Sequence, residues 1–279
     1  MGAETLSLAV DLLFAGTGVA VVLLGLLRRP EPPMAERTPE VTGLELVLTA
    51  AALLVAVIGP NVLVVALTPG MPEMPTLATF VLLPSLVLFP IVWLVAARSG
   101  QARLANRLWV GLWTGAASSG VLDAIRLTGF HLGWMPGNMP RMFGVLILDR
   151  MAVGPTLGSD VLGYLYHYWV GACFGLTYTL LAGRVRWWGG IVWGLIIEIG
   201  MMMTPPMVVA MDTGYFGVKF GPGLFGTSLV AHVAFGAALG LLAERDVRHR
   251  GTLPALLVAW WRAFEMPVSS AGAPVLKPR

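Results

Sequence analysis

Residues 111–123 read GLWTGAASSGVLD, in which Gly111, Gly115 and Ser119 recur at every fourth position until the acid Asp123 closes the series. Three further stretches repeat the arrangement: HYWVGACFG over 167–175, GIVWGLIIE over 190–198 and HVAFGAALG over 232–240, with His167, Glu198 and His232 at the ends of their ladders. Positions i, i+4 and i+8 of a helix share one face. Each ladder therefore predicts a groove that lets another backbone approach closely, with one ionisable group at its end. Two carboxylates and two imidazoles are expected to face inward together.

The surroundings of these ladders are apolar. Hydrophobic residues make up 57% of the chain and charged residues 12%, and the mean hydropathy is +0.79, outside the range of soluble domains. The predicted class is all-α, a polytopic transmembrane helix bundle. Seven spans of roughly 20 apolar residues fall at about 5–27, 43–67, 76–97, 108–130, 160–182, 188–210 and 223–243. The first lacks a basic leading region and a small-residue cleavage site and carries Asp11, so it is expected to be a retained helix. The lone Cys173 rules out an intramolecular disulfide and suits a small packing position.

Arginine sets the expected orientation, because short cytoplasmic loops carry the basic excess. Arg28, Arg29 and Arg37 follow the first span, Arg98, Arg103 and Arg107 the third, Arg184 and Arg186 the fifth, and Arg245, Arg248 and Arg250 the seventh. The intervening loops hold only Arg141, Arg150 and Lys219. An outside amino terminus and an inside carboxyl terminus satisfy every loop. The net charge of +3 then calls for lipid headgroups rather than nucleic acid as its partner.

Three regions follow. Residues 1–104 form a three-helix flank without a matching ladder, 105–245 a four-helix core, and 246–279 an interfacial helix around Leu253 to Phe264 with a Pro/Gly/Ser tail. In the core a carboxylate helix is followed by a histidine helix, twice over. Such an order predicts a duplicated hairpin with parallel repeats related by an axis along the membrane normal. Counted at about 1.5 Å per residue from the cytoplasmic side, Glu198 lies about 15 Å deep, His232 about 17 Å, His167 about 20 Å and Asp123 about 22 Å, within a core of roughly 30 Å. The four groups share a slab.

Their chemistry admits several readings. Carboxylate and imidazole suit a transition metal or a proton relay, and Met203 and Met207, in the methionine run around Pro205 and Pro206, would bias a metal site toward copper(I). His167 and His232 could instead be axial ligands of a haem b. The alternative is two structural His–carboxylate pairs across glycine contacts, with Arg126 neutralising Asp123 from three residues away. Tyr164, Tyr166, Tyr168 and Trp169 read as an interfacial aromatic belt, the methionines as packing, and the segment from His131 to Gly158 as an interfacial or re-entrant lid.

Two seven-span or intramembrane chemistries fail on residues. A retinal protein needs a Schiff-base lysine in its last helix, whereas Lys219 precedes that span and Lys277 lies in the tail. The stretch from Ala231 to Gly236 loosely resembles the last helix of rhomboid proteases, but the Gly-x-Ser-Gly signature is absent, since Gly115 is followed by Ala116, Ala117, Ser118, Ser119 and Gly120.

The stretch from Arg107 to Glu244 resembles the uncharacterised YagU-like inner-membrane proteins, through His167-x-x-x-Gly171 with Tyr178 and Gly183, the Trp193/Gly194 helix ending near Pro206, and Ser228 to Gly240 with His232. The resemblance implies a multi-pass inner (cytoplasmic) membrane location and carries no catalytic residues. Without catalytic machinery, the expected role is a non-catalytic accessory or structural subunit of a larger membrane assembly, an electron-transfer complex being one such assembly. A small transporter or metal- and proton-handling protein, and a haem-bearing electron carrier, are the rival classes.

Overall fold

A computed structural model describes residues 3–30 and 40–265; Arg37, Lys277 and the Pro/Gly/Ser tail lie outside them. Among the described residues the chain is all-helical, with α1 Ala3–Leu27, α2 Gly43–Ala66, α3 Met74–Arg98, α4 Ala102–His131, α5 Met139–Ile147, α6 Leu157–Ala182, α7 Trp188–Met203, α8 Pro205–Met211, α9 Pro222–Asp246 and α10 Leu253–Glu265. Four of these (α1, α2, α3 and α9) are long and apolar enough to cross a membrane, and the pair α7 and α8, bent by 60°, makes a fifth if counted as one span.

Local chemistry sets several boundaries. The Thr42 hydroxyl accepts from the Glu45 amide at 3.1 Å to cap α2. At α6, Thr156 and Ser159 form a reciprocal capping box, satisfying two amides that the helix leaves open. Asn138 caps α5, with a proline in its first turn where no amide is missed. Pro205 and Pro206 cannot continue the hydrogen-bond ladder of α7, and the chain bends there.

Helices α4 and α6 form the centre, antiparallel and crossing through their glycine ladders. A Cβ placed on Gly175 would lie 2.7 Å from the Cα of Gly115, and one on Gly111 would lie 2.8 Å from the Cα of Leu176. Backbone meets backbone there. Helices α7 and α9 repeat the arrangement: a Cβ on Gly190 would stand 2.7 Å from the Cα of Gly240, and one on Gly236 would stand 3.0 Å from the Cα of Ile191. In hydrocarbon, where association draws on close packing rather than water release, such contacts are what bind helices.

Two more seams use the same device outside the ladders. Helix α1 lies along α4, where a Cβ on Gly18 would come within 2.6 Å of the Cα of Gly120. The short α5 lies against the start of α6, where a Cβ on Gly144 would reach 2.8 Å from the Gly163 amide nitrogen. Within the 131–158 segment, α5 is thus docked on α6. The tyrosines predicted as an interfacial belt are also turned inward: Tyr164 is fully buried, Tyr166 donates to the carbonyl of Gly59 at 2.9 Å, and Tyr168 donates to the carbonyl of Phe14 at 2.6 Å.

At the arginine-rich end the charges serve the fold. Arg103 and Glu45, both buried, form a two-pronged pair with Nε to Oε1 at 2.8 Å and Nη2 to Oε2 at 2.5 Å. Arg107 donates to the carbonyl of Leu180 at 3.3 Å and to that of Gly251 at 2.5 Å. Arg28 pairs with Asp246 and lies over the Trp113 ring at 4.9 Å. Arg103 and Arg107, expected to reach headgroups, instead tie α2, α4, α6 and the approach to α10 together. Pairing and carbonyl contacts offset part of the desolvation cost that a lone guanidinium would carry.

The seams generate a packing prediction. Gly115→Leu should drive a side chain into the α6 backbone and lower the thermal midpoint of the detergent-solubilised protein, with a cost of at least about 1–3 kcal/mol. Gly16→Ala, where an added Cβ meets nothing within 4 Å, should leave the midpoint unchanged or slightly raised. Equal midpoints for the two variants in a circular-dichroism melt would refute the seam.

The arginine cluster generates a pH prediction. Burial first, then the charges of Arg103 and Arg107, hold the His249 imidazole below its ordinary pKa of 6.5; Glu45 opposes this and Arg248 adds to it. The unfolded chain therefore binds this proton more readily than the folded one. Stability is full above pH 6.5 and falls as pH drops through 6.5 toward the lower folded value. His249→Gln should flatten this part of the pH–stability curve, read as thermal midpoint between pH 7 and 5.

Candidate functional site

The two ladders end in two separate pairs. On the α4–α6 seam, His167 Nε2 stands 2.9 Å from Asp123 Oδ1. On the α7–α9 seam, His232 Nδ1 stands 2.7 Å from Glu198 Oε2, and the Ser228 hydroxyl donates to the same oxygen at 2.8 Å. All four ionisable groups are buried. Each histidine meets the carboxylate of the helix it packs against, because the ladders run antiparallel and bring their charged ends together.

The pairs differ in quality. His232 Nδ1 also lies 2.9 Å from the carbonyl of Ser228, so it sits between two acceptors and carries the hydrogen. The first pair is close but off the hydrogen-bond line. Among the described residues neither oxygen of Asp123 accepts a hydrogen bond, and the same holds for Oε1 of Glu198. A buried carboxylate oxygen without a donor is costly in hydrocarbon.

Arg126, expected to neutralise Asp123 locally, forms no hydrogen bond or ion pair with it or with any other described residue. It does lie in the electrostatic field of both Asp123 and Glu198. The two pairs therefore flank one guanidinium. Arg126, His167 and His232 line a common cavity of about 360 Å³ between α2, α4, α6, α7 and α9, together with Asn61, Ser119 and Trp193.

The remaining expected ligands are elsewhere. Met207 is buried against Val62, Leu63 and Met74, and Met203 is exposed on α7. Among the described residues no three His, Cys, Asp or Glu side chains gather where a metal ion could bind. His167 and His232 both border the cavity, each already engaged by a carboxylate.

One buried polar cluster has no ladder to announce it. Asp11, fully buried in α1, accepts from Arg141 Nε at 2.9 Å, from Asn138 Nδ2 at 3.0 Å and from the Tyr164 hydroxyl at 2.9 Å. Ser7 donates to Asp160 at 2.6 Å. Asp160, Tyr164 and Tyr168 recur every fourth residue along α6 and bind α1 at Ser7, Asp11 and Phe14. That spacing, and the acid inside an apolar first helix, were the available signals.

Comparison with protein-family models, with curated proteins and with solved structures finds no match to this chain.

The second pair generates a prediction. Glu198→Gln keeps an acceptor for Ser228 and His232 and should leave the thermal midpoint nearly unchanged. Glu198→Leu strands both donors and should cost about 1–3 kcal/mol. A Gln variant as unstable as the Leu variant would show that the charge, not the hydrogen bonding, holds the seam.

Proposed function

We propose that this chain is a non-catalytic subunit of a larger membrane assembly, spanning the inner membrane seven times with its amino terminus outside and its carboxyl terminus inside. The observation carrying the reading is that the His167 and His232 imidazoles each stand within 2.9 Å of one carboxylate across a helix seam, so the groups with the most chemistry are spent on assembling the bundle. α4 and α6 join the apolar helices as spans on this reading: at 30 and 26 residues each is long enough for a core of roughly 30 Å. Arg98 at the end of α3, Arg184 and Arg186 between α6 and α7, and Arg248 and Arg250 after α9 support the orientation. The repeated acid-then-histidine order supports a duplicated hairpin, and the resemblance of 107–244 to the YagU-like proteins supports the location.

A second reading rests on a different observation. The donorless oxygens of Asp123 favour a proton- or metal-handling site built on Asp123, His167, Glu198 and His232. Affinity isolation from native membranes in mild detergent separates the two. The subunit reading expects stoichiometric co-purifying membrane proteins on a native gel, no bound copper, zinc or iron by elemental analysis, and no Soret band. A lone monomer carrying about one metal or haem per chain would overturn it.

A further inference from the structure

The cavity beside the two pairs exists because α7 is broken. After the proline bend, α8 leans toward α2, and its Met207 packs into the cluster formed by Val62, Leu63 and Met74. α7 itself is held chiefly by α9, so a gap remains between α7 and the α2–α6 wall. Trp193 closes one end of that gap by donating its indole N–H to the carbonyl of Phe174 at 3.1 Å. Phe143 and Met207 border the cavity at the proline-bend end.

The gap opens sideways. Val57 and Asn61 on α2 and Ile196 and Gly200 on α7 line the cavity and are at the same time exposed on the outer surface of the bundle. They form a mouth on the flank of two apolar helices, where a bilayer would lie. An occupant entering by this route is dissolved in the membrane. The volume of about 360 Å³ is at the lower end of small-molecule sites, which suits one chain and excludes a whole two-chain phospholipid.

The polar end of the cavity holds the Arg126 guanidinium. His167 and His232 stand 2.9 Å and 2.7 Å from their carboxylates, and neither acid comes within ion-pair distance of the Arg126 guanidinium. It borders the cavity and, among the described residues, has no hydrogen-bond or ion-pair partner. Its hydrogen-bond donors are therefore open to an anionic group that enters the cavity.

We propose that the cavity binds a single-chain amphiphile with an anionic head, its carboxylate or phosphate on Arg126 and its chain laid along Val170 and Phe174 toward Trp193. A carboxylate accepts two guanidinium hydrogen bonds side by side. The neighbouring His167 and His232 rings supply further polar surface for the head. The chain meets only apolar wall beyond them. This site does not depend on whether the protein works alone or in an assembly.

Trp193 on the wall gives the experiment its readout. The full chain in nanodiscs of neutral phospholipid is titrated with 9,10-dibromostearate, and the quenching that disappears in Trp193→Phe is followed. The expected result is saturable quenching, with a chain-matched dibromostearyl alcohol binding about tenfold more weakly, the effect of one charge-assisted hydrogen-bonded contact. Arg126→Gln should weaken the acid to the level of the alcohol and leave the alcohol unchanged, and Arg126→Lys should retain most of the preference. Val57→Trp, at the exposed mouth, should slow or abolish quenching without touching the head site, which keeps the test decisive if Arg126→Gln fails to fold. Competition by a lysophosphatidic acid and by stearate distinguishes a phosphate from a carboxylate head. Absence of a saturable component in the unmodified protein, equal affinity for acid and alcohol, or unchanged acid affinity in Arg126→Gln would each overturn the proposal.

Discussion

The contact between bare backbones at the glycine seams is the constraint on which the bundle rests. Between apolar helices in hydrocarbon there is no water to release, so attraction comes from many short-range contacts and from the few polar groups that find partners. Gly111, Gly115, Gly171 and Gly175 provide the first by leaving only backbone and the small Ser119 and Thr179 side chains between α4 and α6. The same closeness enforces the second. Once the axes are this near, a carboxylate at one end of a ladder has nowhere to turn except toward the imidazole that faces it, and Asp123 with His167 and Glu198 with His232 result. Register and polar pairing are therefore one decision, because sliding either seam by one turn would replace glycine by a bulkier residue and strand two ionisable groups.

The seams also explain why the most central helices are the least apolar. α4 is packed by α1, α3, α6 and α9, and much of its surface is Gly, Ala, Ser and Thr facing another backbone. Thr114, Ser118 and Ser119 are buried and each returns its hydroxyl to a carbonyl of the preceding turn. Such a helix needs no leucine-rich surface, since little of it would meet lipid. The peripheral α1, α2 and α3 show the reverse, with Leu12, Leu13, Leu24, Phe80 and Val87 exposed around a narrow packed stripe. Hydropathy alone thus finds the wrapping of the bundle more readily than its axis.

This contrast sets what was legible in the sequence. Apolar runs placed the long helices, though α4 begins at Ala102, ahead of its apolar run, and α7 stops at Met203; the four-residue spacing named the grooves and the partner types at their ends, because both are properties of a single helix. Properties of two helices were harder to read. Gly18 and Gly120 are ordinary glycines until α1 is laid on α4, and Gly144 and Gly163 show their purpose only with α5 docked. Tyr164 and Tyr168 look like interfacial aromatics by position, yet they face Asp11 and the Phe14 carbonyl. Arg103 and Arg107 look like topology anchors by loop, yet burial against Glu45, Leu180 and Gly251 makes them structural. The cavity left no trace in the sequence, since it is defined by where α7 fails to touch α6.

That failure of contact follows from the same physics as the contacts. Two glycine seams hold α4 on α6 and α7 on α9 too closely to yield, so any misfit between the hairpins must collect between them. Pro205 and Pro206 fix its location by turning α8 through 60° onto α2, which fastens the far end of α7 away from α6 while Trp193 fastens the near end to Phe174. A span free to continue straight could settle against α6 and close the space. With both ends held, the space persists, and the residues left on its wall are those the seams did not consume: the apolar faces of α2 and α6, and an arginine whose two acidic neighbours already belong to histidines.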